Sequence, residues 1–441
     1  MSERGLKPAR RLLVITYHFP PDGSIGGQRW AGLSKYLARL GWEVHVVTAS
    51  KPGKESEAPD VHRHVRHRRR TLNDVYRAGV GRLRARPKTN PQSRQTGSET
   101  KPEVGSLTPL AALRRVVGSA MSLPDHGRGW VGRAAGAARD LLDEGSFDAV
   151  ITSGPPHSAH FAGLLATRGS DVKFWIDMRD PWSITHEMHL PPDRVIRAEK
   201  YLLRRLERLA FRHASRVLVN TREFASALRD AEPEADVICF PNGIDLEQMP
   251  LRQADEVKRG SIAHVGTLYA NRSLSSFFAA MSGVMCTKSD AASTLRLDLA
   301  GPLESPHRER MQEEIAAAGL GSLVHVRGTL PRAQALELLS RSHLALVLAQ
   351  DQPMCVPAKL YESVGLCVPT LVIAEDTSAA AQEARRIGAM TLDGRDVDGM
   401  RALLEDLLAG RIPTSIPPKA PISYADLAAQ MDSLLLHETT S

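Results

Sequence analysis

The chain has 441 residues, of which 42% are apolar and 24% are charged. At roughly 150 residues per domain this length predicts two or three domains, and the composition excludes collagen-like and wholly disordered chains. The net charge of +7 is unevenly spread, because residues 1–126 hold 23 basic and 10 acidic side chains while the remainder is acidic on balance. A local basic patch that meets an anionic partner is therefore favoured over a surface that binds nucleic acid generally.

Four cysteines, at positions 239, 286, 355 and 367, form no CxxC pair and no cluster at metal-ligand spacing. Free thiols are typical of a reducing compartment, so we expect a cytoplasmic protein with neither disulfides nor a metal site. The apolar residues 12–16 are too few for a signal peptide, and no apolar run of about 18 residues occurs in the sequence. Peripheral contact with the inner face of a membrane stays open.

Short β-rich segments alternate with helical patterns in both halves of the chain. In the first half we predict strands at residues 12–16, 43–48, 148–152, 172–177, 216–220 and 237–240, and helices at 27–40 and 197–213. In the second half we predict strands at residues 261–265, 295–300, 323–327, 343–348 and 369–373, and helices at 273–282, 306–318, 332–341 and 357–364. Strands with little internal alternation, separated by helices, are typical of parallel sheets covered on both faces.

This order predicts an α/β fold of two doubly wound, Rossmann-like domains that face each other across a cleft. We expect the first domain at residues 1–240, an interdomain linker at 241–260 and the second domain at 261–411. A proline-rich segment and a C-terminal helix in residues 412–441 could cap either domain. Ligands of such folds bind at the carboxyl ends of the strands.

Residues 51–120 interrupt the alternation. Residues 61–86 carry nine arginines and three histidines against one aspartate, and residues 84–109 have the composition of a disordered segment. Two interpretations stay open: a solvated insertion, or a basic, partly amphipathic arm that docks on an anionic membrane or on a phosphate-bearing substrate. Nucleic acid is disfavoured because the basic run lacks aromatic residues on which bases could stack.

Two loops of the first domain carry candidate functional residues. Gly26 and Gly27 precede the first helix, where glycines let a phosphate approach backbone N–H groups, although a flexible turn is the alternative. The Gly154-Pro155-Pro156 turn places His157 just past the third strand of this domain, with His160 one helical turn further on. We favour His157 as functional over a purely structural pair of histidines.

The next strand is followed by Asp177, Arg179 and Asp180. Two carboxylates that flank an arginine could form a buried ion network that fixes the loop. They could equally bind the hydroxyl groups of a sugar.

The second domain offers a glycine, two cations and a carboxylate at strand ends. Gly266 lets the chain pass close to a ligand, and Arg272 at a helix start can bind phosphate bidentately. Pro357 suits the first position of a helix, whose free N–H groups would favour an anion. Glu362 could accept hydrogen bonds from two ribose hydroxyls, although Lys359 and Glu362 are also an ordinary i,i+3 pair.

Taken in chain order, these segments resemble the family-four glycosyltransferases, which have the GT-B fold and use nucleotide-sugar donors. The resemblance covers nearly the whole chain outside about residues 51–120. The matching segments are Tyr17-His18-Phe19-Pro20-Pro21, Ser153-Gly154-Pro155-Pro156-His157, Asp177-Met178-Arg179-Asp180-Pro181-Trp182, Phe240-Pro241-Asn242-Gly243-Ile244-Asp245, Val265-Gly266-Thr267-Leu268 and Val356-Pro357-Ala358-Lys359-Leu360-Tyr361-Glu362.

The resemblance implies a retaining, hexosyltransferase-like enzyme that needs no metal or other cofactor. Arg272 and Lys359 would hold the donor diphosphate, Glu362 the ribose and His157 the transferred sugar. Gly26, Gly27 and Gly266 would line the donor, and Asp177, Arg179 and Asp180 would contact the sugar or the acceptor. The leaving phosphate would act as base, so no enzymic nucleophile is required. A lipid-linked or saccharide acceptor is expected, as in the biosynthesis of cell-surface polysaccharides or glycoconjugates.

One position departs from the family pattern. Met354 stands where the family has the first of two glutamates, and a thioether cannot bind a sugar hydroxyl; backbone groups of Met354 and Cys355, or the side chain of Asp351, could substitute. Asp396 and Asp398 form a DxD pattern, but an N-cap role is favoured for Asp396. The alternatives to a transferase are a nucleotide-sugar epimerase of the same fold and a non-catalytic nucleotide-sugar-binding protein.

Overall fold

A computed structural model of the chain describes residues 10–21, 25–49, 61–66, 123–184, 194–268, 272–287, 294–303 and 307–439. The chain forms two compact units, one made of residues 1–27 and 43–217 and the other of residues 28–42 and 218–441. The first helix and residues 218–240 thus group with the second unit, although they precede the predicted linker in the chain.

The described residues form two sheets, and the first has the strand order β3-β2-β1-β4-β5-β6-β7. Its strands are β1 (Arg10–Thr16), β2 (Trp42–Thr48), β3 (Val61–Val65), β4 (Ala149–Gly154), β5 (Lys173–Met178), β6 (Arg216–Val219) and β7 (Val237–Cys239). β4 pairs in parallel with both β1 and β5, and β2 pairs in parallel with β3. The central strands β1 and β4 are buried because their apolar runs are covered on both faces.

The described helices of the first unit lie between strands of this sheet in the chain. They are α2 (Val131–Glu144), α3 (Ala159–Thr167) and α4 (Arg194–Phe211). The strand order reverses between β1 and β4, and the carboxyl ends of neighbouring strands at such a point form the usual ligand site of a doubly wound sheet.

The second unit contains the other sheet, with the parallel strand order β10-β9-β8-β11-β12-β13. Its strands are β8 (Lys258–Val265), β9 (Arg296–Ala300), β10 (Val324–Gly328), β11 (Ser342–Leu348), β12 (Thr370–Ile373) and β13 (Met390–Leu392). Its described helices are α1 (Gln28–Arg39), α5 (Arg222–Ala231), α6 (Ser275–Thr287), α7 (His307–Ala317), α8 (Arg332–Ser340), α9 (Ala358–Gly365), α10 (Ala379–Ile387), α11 (Val397–Leu408) and α12 (Tyr424–Thr439).

Apolar clusters cover the second sheet. One contains side chains of α6, α7 and α11 and another contains side chains of α9 and α10, each packed with residues of the central strands. The two sheets with their helices confirm the prediction of two Rossmann-like α/β domains.

Some elements lie where the sequence analysis predicts none. Helices α2 and α10 are two examples, and both are rich in alanine. Alanine weakens the contrast between apolar and polar positions by which a helix is recognised in a sequence. The prediction of an irregular stretch at residues 51–120 is wrong at one place, because Val61–Val65 forms the edge strand β3. Valines at both ends of an alternating segment suit a half-buried strand, a pattern obscured by the surrounding arginines. The remainder of the predicted basic arm lies outside the described residues.

The C-terminal helix packs on α1, so it caps the second unit. The Trp42 indole donates a hydrogen bond to Asp432 Oδ1 at 2.8 Å. Gly32 of α1 faces the Tyr424 ring so closely that a methyl group there would lie 2.1 Å from a ring carbon. Among the described helices, none has an apolar stretch of the length that crossing a membrane requires.

Side chains fix the start of several helices. Thr221 Oγ1 accepts from the Phe224 N–H at 3.1 Å at the start of α5. Asp396 Oδ1 accepts from the Gly399 N–H at 2.8 Å at the start of α11, which confirms the N-cap role predicted for it.

Candidate functional site

In the first unit, polar side chains gather where β1, β4 and β5 end. Register pairs Thr16 with Ser153, and Ser153 with Asp177, so the carboxyl ends of the three strands lie side by side. His157 lies at this edge, two residues before the first residue of α3. The predicted positions in the loops after these strands are therefore neighbours in the fold.

His157 is a buried, neutral imidazole. Its ring stacks on the Trp182 indole with centroids 5.0 Å apart and planes 12° from parallel, and its exposed fraction is 8%. Burial, then the neighbouring His160 and Arg179, lowers the pKa of His157 to about 3. At neutral pH this side chain can accept or donate one hydrogen bond through a ring nitrogen but carries no charge.

His160 supports His157 from the first turn of α3. Its Nδ1 lies 3.0 Å from Thr152 Oγ1, and burial lowers its pKa to about 3. Two further ring nitrogens, His157 Nδ1 and His160 Nε2, are buried without a hydrogen-bond partner among the described residues. Both lie against the Cα face of Gly154.

Replacing Gly154 with alanine is expected to destabilise the first unit by about 1–3 kcal/mol, because the new methyl group would lie 2.8 Å from His160 Nε2 and 3.2 Å from His157 Nδ1. Urea unfolding of the two proteins measures this difference. Gly136 on the exposed face of α2 provides the matched control, since no atom lies within 4 Å of a methyl group placed there. Gly136→Ala should stabilise the helix by about 0.5–1 kcal/mol, and equal effects of the two changes would contradict the packing argument.

Asp125 is a site residue that the sequence analysis does not single out. Its carboxylate accepts from the Gly127 N–H at 2.8 Å and from the Ser158 N–H at 2.9 Å. The Asp125 side chain thus connects the turn that contains His157 to the segment before α2. An aspartate two residues before a glycine is a turn signal, but the contact with Ser158 is not visible in the sequence.

The loop after β5 uses its arginine to bind backbone carbonyls. The Arg179 guanidinium donates to the carbonyl oxygens of Gly26 at 2.6 Å, Gly154 at 3.0 Å and Pro155 at 2.8 Å, and its exposed fraction is 9%. Asp177 is fully buried, and its Oδ2 accepts from Ser153 Oγ at 2.9 Å. These contacts favour the interpretation in which both side chains fix the loop.

Asp180 differs from Asp177 and Arg179, because it is exposed to solvent at the same edge. Of the three residues predicted to contact sugar or acceptor, it has the most solvent-exposed surface, although burial of its carboxyl group raises the pKa of Asp180. The sugar contact itself stays a prediction.

The two glycines before α1 have local structural roles. A methyl group at Gly27 would lie 3.1 Å from the Phe19 Cα, and one at Gly26 would lie 3.0 Å from Arg179 Nη1. Close backbone packing thus explains why glycines suit both positions. Their role in binding the donor stays a prediction.

In the second unit, a buried carboxylate lies between two cations. Glu362 Oε2 accepts from Lys359 Nζ at 2.6 Å, and its Oε1 accepts from Arg332 Nη1. The exposed fraction of Glu362 is 5%, whereas the side chains of Lys359 and Arg332 are partly open to solvent. Arg332 lies on α8, and nothing in the local sequence indicates its contact with a residue of α9.

Gly266 lies in the loop after β8, and Arg272 lies further along the chain, before α6. The Arg272 guanidinium donates to Gln352 Oε1 at 3.1 Å and to the Thr267 carbonyl at 3.3 Å. Gly301, with φ of 151°, approaches the Gly266 carbonyl so closely that a methyl group would lie 1.9 Å from that oxygen. The second unit therefore brings its predicted donor-binding residues to the carboxyl edge of β8 and β11, which are neighbouring strands.

The Met354 carbonyl already has one hydrogen-bond partner within the protein. The Met354 oxygen accepts from Thr221 Oγ1 at 2.8 Å, a contact that joins the start of α5 to the loop before α9. Asp351 is exposed and has φ of 56°, in the left-handed region, with its N–H donating to Glu375 Oε1 at 3.1 Å. Of the substitutes considered for the missing glutamate, the Met354 carbonyl is thus already engaged within the protein.

Within the described ranges, one group of metal-ligating side chains comes together, formed by Glu43, His45 and His62 on β2 and β3. Arg11 contacts the same group, since its guanidinium donates to Glu43 Oε1 at 3.1 Å and lies 3.2 Å from His45 Nε2. The His45 and His62 rings stack with planes 16° apart, so their in-plane lone pairs do not converge on one point. The hydrogen bond from His45 lowers the pKa of Glu43, as expected of an ion-pair network.

Comparison with known proteins connects these features to a family. Residues 26–243 match the model of the glycosyl transferase 4-like domain. No sequence among the curated proteins matches the chain.

Several solved structures share the fold over the whole chain. Sucrose-phosphate synthase from Thermosynechococcus elongatus superposes with a TM-score of 0.62 at 12% identity, over 98% of this chain and 99% of its own. HepE from Anabaena, in complex with UDP and glucose, gives 0.59 at 13% identity, over 97% and 100%. The UDP-forming α,α-trehalose-phosphate synthase from Burkholderia xenovorans gives 0.58 at 14% identity, over 97% and 100%. At these identities the likeness shows the GT-B fold.

Proposed function

We propose that this glycosyltransferase uses a nucleoside-diphosphate sugar and retains the configuration at the anomeric carbon. The premise is that residues 26–243 form a glycosyl transferase 4-like domain within a GT-B fold, which confirms the resemblance to the family-four glycosyltransferases. No metal or cofactor takes part in the proposed reaction. The acceptor is a lipid-linked or saccharide molecule.

The observation that carries this proposal is the buried Glu362 carboxylate between Lys359 and Arg332, at the sheet edge that also presents Arg272. Each Glu362 oxygen accepts from one cation and keeps a further lone pair, so the carboxylate can also accept from a pair of ribose hydroxyls, and nearby cations suit a diphosphate. HepE was solved with UDP and glucose, which supports a donor of this class. We assign the donor nucleotide to this edge of the second unit.

In the first unit we assign the transferred sugar to His157. A neutral imidazole stacked on Trp182 can hydrogen-bond a sugar hydroxyl without attracting the diphosphate. Attack on the anomeric carbon by the acceptor oxygen on the face that the phosphate leaves would retain configuration. The departing phosphate oxygen takes the acceptor proton, so the protein supplies position rather than a nucleophile.

Replacing Glu362 with glutamine is expected to weaken donor binding roughly tenfold to a hundredfold, because a hydrogen bond to a charged acceptor contributes about 1.5–3 kcal/mol. The measurement is a thermal-shift screen of UDP-, GDP- and ADP-sugars, followed by calorimetric titration of those that stabilise the protein. Glu337→Gln provides a matched control, since Glu337 is an exposed carboxylate of α8 that pairs with Arg341. If no nucleotide sugar binds the folded protein, or if Glu362→Gln binds as the parent does, the proposal fails.

Product analysis with the bound donor separates the transferase from the epimerase of the same fold. A transferase releases nucleoside diphosphate only when an acceptor is supplied, whereas an epimerase converts the sugar nucleotide by itself. Donor binding with no turnover on any acceptor extract would instead favour a non-catalytic binding protein.

The biological setting we propose is the cytoplasmic face of a membrane, in the biosynthesis of cell-surface polysaccharide or glycoconjugate. The nine arginines within residues 61–86 support this setting through their attraction to anionic lipid. Flotation with vesicles that contain phosphatidylglycerol tests it. Deleting residues 67–120 should abolish flotation, and unchanged flotation would contradict a role of this segment.

A further inference from the structure

His264, the penultimate residue of β8, has one ring nitrogen with no role in the fold described so far. Its exposed fraction is 3%, and its Nδ1 lies 2.9 Å from the Leu346 carbonyl oxygen. Because a carbonyl only accepts, Nδ1 carries the hydrogen and Nε2 presents a lone pair. Nε2 is buried and has no hydrogen-bond partner among the residues that the structure describes.

The space beside Nε2 lies over Gly266. A methyl group placed on Gly266 would lie 3.4 Å from His264 Nε2 and 3.6 Å from its Cε1, and beyond its chain neighbours no other described atom lies within 4 Å. The described residues leave the side of Gly266 that faces Nε2 without a side chain, so a ligand group over the glycine would face this nitrogen. This arrangement would explain both the glycine and the unpaired nitrogen.

The electrostatic surroundings select the kind of ligand group. Burial lowers the pKa of His264 to about 4, and the charges of Arg272 and Lys359 contribute to the lowering. The imidazole is thus neutral at pH 7 and requires an O–H or N–H donor, which a phosphate oxygen does not supply. The two cations nevertheless favour a diphosphate close by.

We infer that His264 Nε2 accepts a hydrogen bond from a hydroxyl group of the sugar carried by the nucleotide donor, in the space over Gly266. This inference rests on the proposed function. It assigns a sugar-binding residue in the second unit, where Met354 lacks the carboxylate and its carbonyl is held by Thr221.

The test compares nucleotide sugars with bare nucleotides in calorimetric titrations. The probes are UDP-glucose with UDP, and GDP-mannose with GDP, on the parent protein and on His264→Phe. We expect the parent to bind one nucleotide sugar more tightly than the matching nucleotide. His264→Phe keeps the ring but removes the acceptor, so that preference should fall about tenfold while the affinity for the bare nucleotide changes less than twofold.

Gly266→Ala tests the same space without changing His264. Its methyl group fills the position over the glycine at ordinary contact distance, so the fold should be kept and the preference for the nucleotide sugar should fall. Gly321→Ala is the matched control, since no atom lies within 4 Å of a methyl group there. In the parent, the His264 Nε2 resonance in a ¹⁵N spectrum should move on addition of the nucleotide sugar but not of the nucleotide.

The outcomes separate the two proposals. If neither nucleotides nor nucleotide sugars bind the folded parent, the proposed function fails and this inference fails with it. If nucleotides bind but the parent shows no preference for the sugar conjugate, or if His264→Phe retains that preference, the inference alone is overturned. Equal losses for nucleotide and nucleotide sugar in a folded His264→Phe would also overturn it, because they indicate a packing role.

Discussion

Replacing His157 with phenylalanine is expected to lower kcat by roughly 10²- to 10³-fold, the loss that follows removal of one hydrogen bond directed at the reacting centre. Phenylalanine preserves the ring that stacks on Trp182, so the loop should keep its packing while the hydrogen-bonding nitrogens disappear. Steady-state rates with the donor found in the screen measure the effect. KM for the donor should change much less than kcat.

Two further variants make this prediction specific. His157→Gln restores a polar group and should recover part of the lost kcat, whereas a purely structural His157 would lose stability in both variants. His213→Asn, at an exposed position after α4, should leave the rate unchanged. If the His157→Phe protein unfolds at the same temperature as the parent protein and has the same kcat, a role of His157 in transfer is excluded.

Stability is expected to fall steeply as the pH drops from 6.5 towards 5. Burial holds the pKa of His157 and of His160 at about 3 and that of His264 at about 4 in the folded protein, below the ordinary value of 6.5. Between these values the unfolded chain binds protons that the folded protein does not, so the free energy of unfolding decreases with falling pH. At a pH well below 6.5 and above its pKa in the folded protein, each such histidine contributes about 1.4 kcal/mol per pH unit.

Urea unfolding at pH 6.5, 6 and 5 measures this slope. Carboxylates that are paired in the folded protein lose their contribution mainly at lower pH, which is why the window ends at pH 5. His264→Phe isolates one histidine, and its mean slope over this window should be smaller than that of the parent by about 1 kcal/mol per pH unit. Identical slopes in the two proteins would show that His264 binds its proton equally in the folded and the unfolded state.

Much of the fold could be predicted because parallel strands covered on both faces leave a local signal. The run from Leu12 to Thr16 and the run in β11 are apolar without interruption, and such runs indicate buried strands before any partner is known. Candidate site residues could be predicted for a related reason, since ligands of these folds bind where strands end. His264 was open to this reasoning as well, because a histidine within the apolar run of β8 requires a partner for each ring nitrogen.

The sequence by itself determined the two-domain α/β class, the loops that carry chemistry and the membership suggested by their order, because these depend on residues near one another in the chain. Only the tertiary structure decided which polar atoms are already occupied. Arg179 is held by three backbone carbonyls, Arg332 reaches Glu362 across 30 positions, and Thr221 reaches Met354 across 133. A buried polar group must find a partner wherever the fold places one, so its role depends on distances that sequence spacing does not contain.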